Sequence, residues 1–146
     1  MALSTKKQGP FFCLACNKEL QFKTYNHYHK FCDNACQGQL KSRITSERDK
    51  HLFAEGKLKS RPAIKRQITE AKGYICEKCG LGNEWQGASI TLQVDHISGD
   101  PYDNSPSNLR LLCPNCHSQT ATFGSKNKGN GRWSKENLAR YYPKAG

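Results

Sequence analysis

The eight cysteines of this 146-residue chain constrain its fold most, because they fall in four close pairs. The pairs are Cys13/Cys16, Cys32/Cys36, Cys76/Cys79 and Cys113/Cys116. Such short spacings are typical of metal-binding knuckles, whereas the cysteines of disulfide-bonded secreted proteins do not usually occur as closely spaced pairs of this kind. Four thiolates complete a tetrahedral zinc shell. The pattern therefore predicts two structural Zn²⁺ sites, one in each half of the chain.

The composition fits small metal-stabilised modules better than one large core. Only 36% of the residues are hydrophobic, and a short chain buries a modest fraction of its surface. The first ten residues lack the apolar run of a signal peptide, and no stretch is long enough to span a membrane. We expect a protein of the reducing cytoplasm.

The net charge of +11 is unevenly distributed along the chain. Residues 1–40 carry +3, residues 41–72 carry +6, residues 73–123 carry −3 and residues 124–146 carry +5. Basic segments suit a polyanionic partner, and an acidic segment suits a site for a divalent cation. A basic stretch can also be only a solvated surface. Two basic flanks around an acidic centre nevertheless favour nucleic acid as the partner.

Residues 1–56 are predicted to form an N-terminal zinc-binding module with a helix. Asp33 is placed to cap that helix, which should end near Gly56. His27 and His29 could act as ligands, but four cysteines already fill a tetrahedron. The segment resembles treble-clef-like zinc modules, in which the second cysteine pair opens a helix.

Residues 57–73 are predicted to form a basic helical linker, with the domain boundary at residues 57–62. The apolar side chains share one helical face, which we expect to serve packing. The opposite face carries Lys65 and Arg66, which could meet phosphates.

Residues 74–123 hold the second cysteine group and most of the candidate functional residues. An alternation of apolar residues ends at Asp95 and His96, which predicts a strand. A polar loop of turn-forming residues follows, then an apolar run at 109–112, and then Pro114, where a helix can begin. The expected order is strand, loop, short strand and helix, with polar groups from both ends brought face to face.

The motifs of this segment resemble the HNH endonuclease family. They are Asp95-His96, Asn-Leu-Arg at 108–110 and Cys-Pro-Asn-Cys-His at 113–117, with Cys76-Glu-Lys-Cys79 upstream. The resemblance covers about residues 74–123 and implies a ββα-metal, treble-clef-like nuclease module. The expected fold is therefore a small α+β zinc-stabilised protein, in which a four-cysteine module and a helical linker precede the nuclease module.

The resemblance also implies roles for four residues in a one-metal mechanism. His96 would be the general base, Asp95 and His117 would bind one Mg²⁺ or Mn²⁺ ion, and Asn108 would brace the loop that orients His96. The family commonly has a basic residue shortly after the last histidine, but this chain has Ser118-Gln119-Thr120 there.

Candidate contacts to nucleic acid lie mainly in the basic segments. Arg110 could supply the missing cation near the phosphate. Residues 124–146 form a basic tail, in which Lys126, Lys128 and Arg132 could follow a phosphate backbone. A flexible solubilising tail is the open alternative, and residues 134–138 could begin a last short helix. Trp85 is expected in the core.

The predicted function is metal-dependent hydrolysis of phosphodiester bonds in double-stranded DNA, as in a phage homing or packaging-associated nuclease. A non-catalytic zinc-stabilised DNA-binding or adaptor protein and an RNA-directed nuclease remain open alternatives. The presence of all four catalytic candidates favours the nuclease. The target sequence, cleavage of one or both strands, and the choice between monomer and homodimer stay open.

Overall fold

The structure is a computed structural model that describes residues 10–20, 30–129, 131 and 134–141. The described residues form a small α+β protein, and contacts divide the chain into two units, Met1–Arg48 and Asp49–Gly146. The helices are α1 (Asn34–Ala54), α2 (Arg61–Lys72), α3 (Pro114–Ser118) and α4 (Lys135–Tyr141). The strands are β1 (Phe11–Phe12), β2 (Glu19–Leu20), β3 (Glu84–Trp85), β4 (Ala88–Ser89), β5 (Gln93–His96) and β6 (Leu109–Leu112).

The first unit contains the β1–β2 hairpin and the beginning of α1. The hairpin is antiparallel and pairs Phe11 with Leu20. The carboxylate of Asp33 accepts a hydrogen bond of 2.7 Å from the backbone N–H of Cys36, which confirms Asp33 as the cap of α1. The helix continues to Ala54, as the sequence predicted, and Gly56 follows with φ 69°. His27 and His29 lie outside the described residues.

The core of the second unit packs α2 against the hairpin formed by β5 and β6. Its buried apolar side chains are Leu58, Ala63, Ile64, Ile68, Leu92, Leu109, Leu111 and Leu112. A fully buried aliphatic side chain of this size contributes about 1.5–3 kcal/mol. The change between units falls inside α1, and not at residues 57–62, because Leu58 and α2 belong to this core. The segment expected to be a linker is therefore a packed element of the second unit.

The central hairpin has the order of elements that the sequence predicted. Strands β5 and β6 are antiparallel, with Asp95 opposite Arg110 and His96 opposite Leu109. A short 3-10 turn at Pro106–Asn108 leads into β6, and α3 follows directly. The thiol of Cys113 accepts a hydrogen bond from the N–H of Cys116 and caps α3.

The β3–β4 hairpin leaves Trp85 on the surface, so the prediction of a core tryptophan is wrong. Its side chain is 56% exposed. Trp85 pairs with Ala88, and the two residues between them, Gln86 and Gly87, both have positive φ, as a tight hairpin turn requires. A ladder of two residue pairs and an exposed alanine offer no surface that could cover the indole.

The described part of the C-terminal segment packs on the loop between β5 and β6. The side-chain amide of Asn127 donates to the carbonyl of Gly99 at 2.7 Å, and Arg140 lies 3.3 Å from the Asp100 carboxylate. The last helix is confirmed, with the N–H of Asn137 donating to the Ser134 hydroxyl. Lys126 and Asn127 thus make hydrogen bonds to Ser118 and Gly99. Arg132 lies outside the described residues.

No helix within the described ranges is long and apolar enough to cross a membrane.

Candidate active site and metal centres

The second cysteine group is assembled at the entrance to the β5–β6 hairpin. The sulfur atoms of Cys76, Cys79, Cys113 and Cys116 all lie within 4.8 Å of one another. The knuckle of the first pair is tied to β6, because the N–H of Glu77 donates to the Leu111 carbonyl at 2.9 Å. An ion held by these four sulfurs would therefore fix the start of α3 to residues 76–79.

Burial and neighbouring groups shift the pKa values of these thiols in opposite directions. Burial opposes ionisation of Cys76, but backbone N–H groups of Cys113, Cys79 and Lys78 donate to its sulfur, and its pKa falls to about 6. Burial and the neighbouring sulfurs raise the pKa of Cys116 to about 12. Four thiolates at this distance repel one another without a cation between them. Their chemistry and tetrahedral number fit Zn²⁺.

The first cysteine group has the same form in the N-terminal unit. The sulfurs of Cys13, Cys16, Cys32 and Cys36 also lie within 4.8 Å of one another. Burial opposes ionisation of Cys13, yet backbone N–H donors lower its pKa to about 6. The hydrogen bond with Cys32 is the main cause that raises the pKa of Cys36. Both cysteine groups predicted from the sequence could therefore hold zinc.

Asp95 and His117 meet on one side of the hairpin. Oδ1 of Asp95 lies 3.4 Å from Nε2 of His117, and the aspartate side chain is 3% exposed. Oδ2 accepts a hydrogen bond of 2.7 Å from Nε of Arg110. Nδ1 of His117 bonds Oε1 of Gln93, and because an amide oxygen only accepts, Nδ1 carries the proton. The free lone pair of a neutral His117 is then at Nε2, next to the Asp95 oxygen.

His96 makes its described contact with a different residue. Its Nε2 lies 3.0 Å from Oδ1 of Asn104, and the Asn104 amide donates to the carbonyl of Leu58 at 2.9 Å. Asp95 thus lies next to His117, whereas the hydrogen bond of His96 leads to Asn104. This fits the alternation of side chains along β5, where Gln93 and Asp95 share a face and His96 has the other.

Asn108 holds the two ends of the loop between β5 and β6. Its Oδ1 accepts from the N–H of Ser98 at 2.8 Å, and its Nδ2 donates to the carbonyl of Asp103 at 2.9 Å. Within the loop, the hydroxyl and N–H of Ser105 donate to Asp103 and lower the pKa of that carboxyl. The contacts of Asn108 have the form expected of a structural brace.

The basic residues proposed as nucleic-acid contacts differ in their surroundings. Arg66 forms an ion pair of 2.7 Å with the buried carboxylate of Asp49, and Lys65 lies over the ring of Tyr74 at 5.1 Å. Lys126 donates to the carbonyl of Ser118, at the end of α3, and Lys128 is exposed. The ion pair with Asp49 gives Arg66 a structural partner within its own unit.

Three residues at the site were not found from the sequence. Gln93 precedes Asp95 by two residues, so the alternation along a strand could have placed the two side chains on one face. Asn104 had no such signal, because its contact with His96 depends on how the loop folds back. Phe123 is a third neighbour, with its ring edge-on to His117 at 5.1 Å.

Asp95, His117 and the second cysteine group all lie in the part of the chain that is similar to known proteins. Residues 76–122 match the HNH endonuclease family and form its domain in this chain. A stretch of 58 residues is 47% identical to the H-N-H endonuclease F-TflIV of Escherichia phage T5, and covers 40% of this chain and 25% of that protein.

A second relative is more distant. A stretch of 54 residues is 37% identical to the Zorya protein ZorE of Escherichia coli, and covers 37% of this chain and 14% of that protein. The match thus spans a quarter or less of the length of these relatives. No solved structure matches this chain significantly.

Proposed function

We propose that this protein is a metal-dependent endonuclease that hydrolyses phosphodiester bonds in double-stranded DNA. The observation that carries the proposal is the pairing of Asp95 and His117, whose Oδ1 and Nε2 atoms lie 3.4 Å apart. Gln93 directs the His117 lone pair toward that carboxylate oxygen. The HNH domain match and the phage relative support a nuclease.

The donor set of this pair fits one hard divalent cation. A carboxylate oxygen and an imidazole nitrogen suit Mg²⁺ or Mn²⁺, and two protein ligands leave positions for water and a phosphate oxygen. A cation bound there would neutralise charge on the scissile phosphate and the leaving oxygen. The cysteine groups serve a different purpose, because four thiolates leave no open position.

The remaining roles belong to side chains of the hairpin. His96 is the proposed general base, since an imidazole can take a proton from water near neutral pH. It is the last residue of β5, and we propose that the end of the strand lets it reach the same phosphate although Asp95 lies on the other face. Asn108 braces the loop that follows His96, through its bonds to Ser98 and Asp103. Arg110 is bonded to Asp95, so we propose that it holds this carboxylate in place and only secondarily meets the phosphate.

The proposed architecture is a ββα-metal module made of β5, β6 and α3, with its zinc site at residues 76–79 and 113–116. The N-terminal unit is proposed as a second, treble-clef-like zinc module. The basic segments on both sides of the acidic domain would bind the DNA backbone. We also propose a homing or packaging-associated role in a phage, and the similarity to an endonuclease of Escherichia phage T5 supports the phage setting.

The test is cleavage of supercoiled plasmid DNA by the purified zinc-loaded protein with Mg²⁺, Mn²⁺ or EDTA. We expect nicked or linear products with either cation, none with EDTA, and a loss of about 10²–10⁴-fold in rate for His96→Ala. His51→Ala, at an exposed position of α1, is the matched control and should cleave as the wild type does.

DNA binding measured in EDTA separates chemistry from recognition, because His96→Ala should bind as the wild type does. Wild-type protein that binds DNA but never cuts it would support the non-catalytic alternative. Cleavage that survives in His96→Ala would remove this residue as the base.

A further inference from the structure

Asn104 joins His96 to a part of the chain that lies outside the matched domain. Its Nδ2 donates to the carbonyl of Leu58 at 2.9 Å, and its Oδ1 lies 3.0 Å from Nε2 of His96. The orientation of the amide is settled by chemistry, because a backbone carbonyl accepts hydrogen bonds only. The NH₂ group must therefore face Leu58, and the oxygen must face the imidazole.

This orientation determines where the neutral imidazole carries its proton. An amide oxygen cannot donate, so Nε2 of His96 must bring the hydrogen to this bond. The free lone pair of the ring is then at Nδ1. A base of this kind needs both a defined ring orientation and a lone pair at the reacting nitrogen, and the one hydrogen bond that His96 donates to Asn104 supplies both.

We infer that Asn104 is a positioning residue for His96, and that Nδ1 is the atom that takes the proton from water. The inference rests on the proposed function of His96. Asn104 itself touches no reacting atom, and acts only through the imidazole. Its own position is fixed from residue 58, which precedes the matched residues 76–122.

The anchor at Leu58 is well suited to hold Asn104 still. The Leu58 side chain is 4% exposed and belongs to the core of the second unit. The N–H of Leu58 donates to the carbonyl of Leu52 in α1 at 3.1 Å, which fixes the peptide next to the accepting carbonyl. The segment just before α2 therefore contributes to the site through Asn104, although it carries no proposed catalytic side chain.

Two substitutions separate the bond to His96 from the bond to Leu58. Asn104→Leu has nearly the same shape and removes both bonds. Asn104→Asp keeps an oxygen acceptor for the Nε2–H of His96 and loses the donor to Leu58. Asn83→Leu, at an exposed position before the β3–β4 hairpin, is the matched control.

The experiment combines NMR of the histidine ring nitrogens with plasmid cleavage kinetics, both at alkaline pH and on the full zinc-loaded chain. In the wild type we expect His96 to show a proton on Nε2, visible because its hydrogen bond slows exchange with water, and a bare Nδ1. Asn104→Leu should lose that proton signal and lower kcat by about 10–100-fold with KM unchanged. Asn104→Asp should keep the signal and recover most of kcat, and Asn83→Leu should match the wild type.

Several results would overturn the inference while leaving a nuclease in place. The first is a proton on Nδ1 of His96 in the wild type, and the second is a wild-type kcat in Asn104→Leu. The third is an equal loss of kcat in the Leu and Asp variants, which would mean that Asn104 only ties the loop to Leu58. Zinc content and circular dichroism check that each variant folds. A wild type with no cleavage at all would refute the proposed function, and with it the role of the His96–Asn104 hydrogen bond in catalysis.

Discussion

Replacing Asn108 with alanine tests whether this residue is a brace or a participant in the chemistry. The side chain is 8% exposed and satisfies the N–H of Ser98 and the carbonyl of Asp103. Alanine removes both hydrogen bonds and leaves two backbone groups without their partner. At about 1 kcal/mol for each bond, the unfolding free energy should fall by about 2 kcal/mol. For a unit of this size, that lowers the melting midpoint by about 8–16 °C.

Two further variants make the Asn108 measurement quantitative. Asn108→Asp keeps an acceptor for Ser98 and loses the donor to Asp103, so it should show about half of the destabilisation. Asn115→Ala changes an exposed asparagine of α3 and should stay within about 0.5 kcal/mol of the wild type. The melts are followed by calorimetry at saturating zinc, so that metal loss does not add to the effect. If Asn108→Ala melts as the wild type does but fails to cleave DNA, the bracing role is wrong and Asn108 acts in the chemistry itself.

Two other predictions concern the charged and metal-binding side chains. Arg110→Gln should leave the buried Asp95 carboxylate without its positively charged partner. The protein should lose about 3 kcal/mol of stability or less, since Arg110 is 29% exposed. Adding Mn²⁺ should then raise the melting temperature of this variant more than that of the wild type, and an equal increase would argue against a shared cation site at Asp95. Cys76→Ser and Cys13→Ser should each lower the zinc content by about one ion per chain. Only Cys76→Ser should abolish cleavage of a short DNA duplex, and loss of both ions in either variant would contradict two separate sites.

The metal groups and the hairpin could be predicted from the sequence because each depends on local spacing. The four cysteine pairs needed only their intervals to be recognised, and both groups assemble with sulfurs within 4.8 Å. The order of strand, loop, strand and helix followed from the apolar alternation before Asp95 and from Pro114 after the second run. The cap at Asp33 was also a local signal. Such features are determined by neighbours along the chain.

The contacts that the sequence did not give are those between distant segments. Residues 57–62 look like a linker by composition, but Leu58 is buried and its carbonyl anchors Asn104, 46 residues further along. The composition of the glycine-rich segment after Phe123 suggests flexibility, but the side-chain amide of Asn127 donates a hydrogen bond to the carbonyl of Gly99. Trp85 shows the reverse case, in which an expected contact is missing. A large aromatic residue suggests a buried position, but the short β3–β4 hairpin has no core that could cover its side chain.

The hydrogen bond between Arg110 and Asp95 limits how this site can hold a cation. Because Oδ2 of Asp95 is taken by Arg110, only Oδ1 faces Nε2 of His117, so the carboxylate is suited to bind an ion through one oxygen. The charge of that carboxylate is already balanced by the guanidinium, and a neutral imidazole adds none. The two side chains alone therefore offer a divalent cation little net attraction. A DNA phosphate would bring the missing negative charge, which explains physically why the cation and the substrate should bind to this site together.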